Sequence, residues 1–117
     1  MEERNKRIIE FEDKWIPKFA DSNVSCYELV ETDFADDCFA LKFEMDCGQG
    51  LRDKYSLRLE DAVLILNRIN DIDFLGSIIF SYWRYFNHWA YDSSEINEHR
   101  DWFVTMLEKL KELALRV

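Results

Sequence analysis

Glycine and proline are scarce: three of the first and one of the second in 117 residues. So small a supply of turn formers disfavours a loop-rich all-β fold and favours helices. No apolar run approaches the roughly 20 residues needed to cross a bilayer, so the sequence predicts no membrane segment. The opening residues Met-Glu-Glu-Arg-Asn-Lys-Arg lead into an amphipathic stretch, not into the apolar core of a secretory signal. The three cysteines, Cys26, Cys38 and Cys47, are odd in number and loosely spaced. They do not form a disulfide framework and read as reduced thiols in a cytoplasmic protein. His88 and His99 share no HxxxH spacing and the cysteines no CxxC, so neither a metal site nor a cofactor is expected. Gly48-Gln49-Gly50 is followed by no Lys-Ser/Thr and is not a phosphate loop.

Positive charge is also in deficit. The formal net charge is −9, and it is uneven. Residues 21–56 carry nine acids against three bases, whereas residues 1–20 balance at five of each. Direct nucleic-acid binding needs a basic footprint and is not expected. What the chain has in quantity is apolar residues, 48%, and aromatics, 15%. That is enough for one domain spanning residues 1–117 with a real core.

Periodicity places the elements. Ile8, Phe11, Trp15 and Phe19 recur at helical spacing, predicting a helix over 3–20 that Pro17 should kink or end near Ile16. Residues 24–31 and 38–46 read as two strands. In the second, Phe39, Leu41, Phe43 and Met45 alternate with Ala40, Lys42, Glu44 and Asp46. Residues 32–37 would join them as a hairpin, and Gly48-Gln49-Gly50 would be the strongest turn. Residues 51–58 read either as a third strand or as an irregular lead into the next helix. Leu59, Val63, Leu66 and Ile69 share one face of a helix over 59–69. Asn70-Asp71-Ile72-Asp73 is a connector with capping residues. Residues 74–90 form a helix apolar nearly all round, the expected centre of the fold. Residues 95–116 form the last helix. The expected class is α+β: a short antiparallel sheet of two or three strands packed with about four α-helices.

Two groups of residues are candidates for function. On the aromatic helix, Arg84 and His88 lie four apart and share a face beside Asn87. They read as a pocket, with Arg84 binding an anion, His88 moving a proton and Asn87 orienting. The reading favoured over this is packed core, because no spacing supplies the partner His88 needs for acid–base work. The second group is acidic: Glu31, Asp33, Asp36, Asp37, Glu44 and Asp46, with Tyr27 or Phe34 as an exposed aromatic anchor. It reads as a solvated face, or as a docking surface for a basic partner reached by charge steering.

The block Leu75-Gly76-Ser77-Ile78-Ile79-Phe80-Ser81-Tyr82-Trp83-Arg84-Tyr85-Phe86-Asn87-His88-Trp89-Ala90, with Arg100-Asp101-Trp102-Phe103 after it, resembles a recurring pattern in small uncharacterised bacterial proteins. That resemblance implies a bacterial or phage origin and brings no activity with it. In size and acidity the chain is similar to immunity proteins that neutralise bacterial toxins, a likeness that transfers no site residues. It implies a non-enzymatic inhibitor of a basic effector, such as a toxin nuclease. The alternatives are a small enzyme or ligand-binding domain using Arg84, Asn87 and His88, or an oligomeric accessory subunit.

Overall fold

The first helix begins at Glu3 and runs unbroken to Ala20 (α1). The structure, a computed structural model, describes residues 3–21, 33–44, 49–89 and 93–116, and of residues 59, 60, 85–89 and 93–100 the backbone alone. Pro17 does not end α1: the helix continues to Ala20, and the Pro17 carbonyl accepts from the Asp21 N–H at 3.0 Å. Ile8, Phe11, Trp15 and Phe19 are all buried, as their spacing predicts.

No β-strand is present among the described residues. Among the described residues every regular element is helical, so the α+β expectation is corrected to an all-helical fold. The segment expected to join two strands instead starts a short helix, Phe34–Ala40 (α2). Its buried stripe is Phe34, Cys38 and Leu41, spaced four and three apart, which is the period of a helix. The apparent alternation of Phe39, Leu41 and Phe43 fails because Phe39 is 62% exposed while Leu41 and Phe43 are buried. Lys42 takes a left-handed conformation (φ 63°) that stops α2 and turns Phe43 back into the core. The other predicted strand, 24–31, lies outside the described residues.

Residues 49–55, expected as a turn running into a strand or an irregular lead, form helix α3 (Gln49–Tyr55). Leu59–Arg68 is helical as predicted, but in the tighter 3₁₀ form, with a kink at Ile65. It buries Ala62, Ile65, Leu66 and Ile69 and leaves Leu64 78% exposed. Asp71 then caps α4 (Ile72–Trp89): its Oδ1 accepts from the Asp73 N–H at 2.9 Å and the Phe74 N–H at 3.2 Å. The last helix, α5, spans Ser93–Leu115.

One core joins these elements. Residues 75–82 of α4 are buried on every side, which is what an all-round apolar helix requires. Gly76 is there for space, since a Cβ at that position would stand 2.3 Å from the Phe43 ring. Phe34 lies at the middle of an aromatic cluster, with ring centroids 5.1 Å from Trp15 and 5.5 Å from both Phe11 and Phe19. Phe19 in turn stacks on Phe103 of α5 at 4.6 Å. No helix of the described residues is long and apolar enough to cross a membrane.

Candidate functional site

α2 is short and two-faced, and its two faces divide the acidic residues. On the inner face Phe34 is fully buried, so it is not an exposed anchor. Asp37 is half-buried. Its Oδ2 accepts from the Trp15 indole N–H at 2.7 Å and from the Lys14 ammonium at 2.8 Å. That carboxylate is committed to holding α2 against α1. The carboxyl end of α2 is held as well: Arg7 donates to the Ala40 carbonyl and Arg4 to the Leu41 carbonyl, both at 3.2 Å. Cations there suit the negative end of a helix. Arg4 also pairs with Asp73, tying α1 to the start of α4 and holding the Asp73 carboxyl below its usual range.

The outer face of α2 carries Asp33, Asp36 and Phe39. Asp33 and Asp36 are exposed. Phe39 shows most of its surface to solvent, yet its ring rests edge-on against Phe80 at 4.9 Å. A ring held in that way loses little freedom when a partner covers it. Glu44 is exposed just beyond the Lys42 turn. Glu31, Asp46 and Tyr27 lie outside the described residues. Of the predicted acidic surface, Asp33 and Asp36 are exposed three residues apart, whereas Asp37 is engaged with α1 and Phe34 is buried. The structure adds Phe39, which the alternating pattern had assigned to a buried face. The signal that identifies Phe39 is the helical stripe Phe34, Cys38 and Leu41, from which Phe39 is turned away.

The aromatic helix yields less chemistry. Arg84 is exposed on α4, and the side chains of Asn87 and His88 lie outside the described residues. Among the described residues no group of three His, Cys, Asp or Glu side chains is placed to hold a metal ion. Cys38 is buried and free, and burial pushes its thiol up, away from the reactive thiolate.

Sequence reasoning passed over Glu12. It is fully buried on α1, and neither carboxyl oxygen has a hydrogen-bond partner among the described residues. Burial pushes its carboxyl up to about 9. Lys111 opposes that shift, and Asp13 and Glu108 add to it. At neutral pH Glu12 is therefore a neutral acid in the core. Its place in the stripe, four after Ile8 and three before Trp15, is the signal that could have exposed it.

No family model matches the chain, and no curated protein or solved structure matches it. The functional reading rests on the geometry above.

Proposed function

We propose that the chain is a non-enzymatic binding protein of the cytoplasm, immunity-protein-like, that neutralises a basic effector such as a toxin nuclease. The single observation that carries this reading is the outer face of α2, where the exposed carboxylates Asp33 and Asp36 lie six and three residues before the exposed, pre-seated ring of Phe39. Aromatic anchors ringed by charge are what binding surfaces concentrate their energy in. The exposed Asp33 and Asp36 precede the anchor on the same short segment, in a chain of net charge −9, and such a field speeds encounter with a basic protein. Asp37 has no part in docking, because its ligands are Lys14 and Trp15 of the same chain.

The test uses the product of the gene adjoining this one. That product is expected to be basic, to lose its activity stoichiometrically when titrated with the chain, and to bind less tightly as salt is raised. Asp36→Lys should weaken binding by about tenfold and flatten the salt dependence. An adjoining product that the chain neither binds nor inhibits sinks the reading. So does an affinity that ignores Asp36→Lys.

A further inference from the structure

A groove of about 300 Å³ runs between the 3₁₀ helix and α5. Val63, Leu64 and Leu66 form its apolar side, and Glu108, Lys109 and Glu112 its charged side. Leu64, at 78%, is the most exposed of the large hydrophobic residues described. Leu115, 54% exposed, lies seven residues beyond Glu108 and three beyond Glu112, on the same face of α5. Single exposed leucines are ordinary, but one standing beside an open groove is a place where a partner's apolar side chain gains contact.

The charges on the other side are not equivalent. Glu112 is compensated twice, by Lys109 at 3.8 Å and by Arg116. Glu108 is exposed and has no ion-pair partner among the described residues. One unmatched carboxylate therefore faces the groove across from its apolar side. We propose that this groove is a second docking surface, and that it takes a basic amphipathic helix of a partner protein. An apolar side chain would lie against Val63, Leu64 and Leu66. A lysine or arginine one helical turn away would meet Glu108.

A second copy of this chain fits the groove poorly. Each copy carries a net charge of −9, so self-association brings like charges together. A basic helix reverses that term. The groove shares no residue with the outer face of α2, so the two surfaces stand or fall separately.

The probe is a synthetic helical peptide of leucine and lysine, titrated into the full ¹⁵N-labelled chain beside a matched leucine–glutamate peptide. The lysine peptide should shift the amide signals of residues 63–66 and 105–112. Leu64→Asp and Glu108→Lys should each weaken its binding by about tenfold, and Leu64→Asp should leave thermal unfolding unchanged because its side chain is exposed. The proposal is overturned if the lysine peptide does not bind, or if the glutamate peptide binds as well. It is overturned too if the shifts centre on residues 33–40 and ignore both substitutions, which assigns the peptide to α2. Light scattering closes the remaining alternative: a dimer that Leu64→Asp dissolves gives the groove to a second copy instead.

Discussion

Helix α1 meets two carboxylates in opposite circumstances. Where it touches α2, Asp37 is half-buried and takes two hydrogen bonds, from Trp15 and Lys14. Deeper in the same helix, Glu12 is fully buried with neither oxygen paired among the described residues. Lys111, whose charge opposes the shift at Glu12, is bound instead to Asp13 at 2.8 Å, and that pair holds the Lys111 ammonium up. The contrast shows how position decides the sign of a carboxylate's effect. Charge-assisted hydrogen bonds at a half-wet seam stabilise a contact, and an unpaired acid in the core costs stability until it takes up a proton.

The largest way to break this picture is to empty the seam. Phe34→Ala removes the ring between Trp15, Phe11 and Phe19 and should cost about 3–5 kcal/mol, read by chemical denaturation. A loss under about 1 kcal/mol would show that α2 does not pack as described.

The next effect depends on pH. Glu12 titrates near 9 when folded and near 4.5 when unfolded. The folded state therefore binds the extra proton between those values. Its contribution is fully present below about 4.5, declines as pH rises, and is gone above about 9. At pH 7 the cost is about 3 kcal/mol. Glu12→Gln keeps the shape and removes the titration. It should match the parent near pH 4.5 and exceed it at pH 7, with the gap widening to pH 9. Parallel stability curves for the two proteins would put Glu12 in a solvated site. Asp73, lowered by Arg4, acts in the other direction and below that window: its support is present above the unfolded value and lost as pH falls.

Smaller effects separate the two faces of α2. Asp37→Asn weakens the acceptor for Lys14 and Trp15 and should cost about 1–2 kcal/mol in the same denaturation assay. Asp36→Lys, on the exposed side, should change stability by less than about 0.5 kcal/mol. Equal losses from the two would erase the distinction between an inner and an outer face.

The long helices were legible because their apolar residues repeat over many turns. Ile8 to Phe19 fixes α1, and the apolar residues from Phe74 onward fix α4. α2 was not legible in the same way. Over so short a stretch, Phe39, Leu41 and Phe43 mimic the period of a strand, while Phe34, Cys38 and Leu41 carry the true helical period. Acidic residues crowd the segment and depress strand propensity, a warning that the alternation outweighed. Leu59–Arg68 packs against α4 and α5, and its tighter winding has no local signature. The acidic character of the candidate surface was visible in composition. Its division into a structural Asp37 and an outward Asp36 was not, because that depends on which face of α2 meets Trp15.

The most direct test of the account is one substitution measured two ways. Phe39→Ala should weaken binding of the adjoining gene's basic product by at least about tenfold, followed by titration calorimetry, while costing no more than about 1 kcal/mol in unfolding. An affinity unchanged by that substitution would contradict the assignment of the outer face of α2 as the working surface.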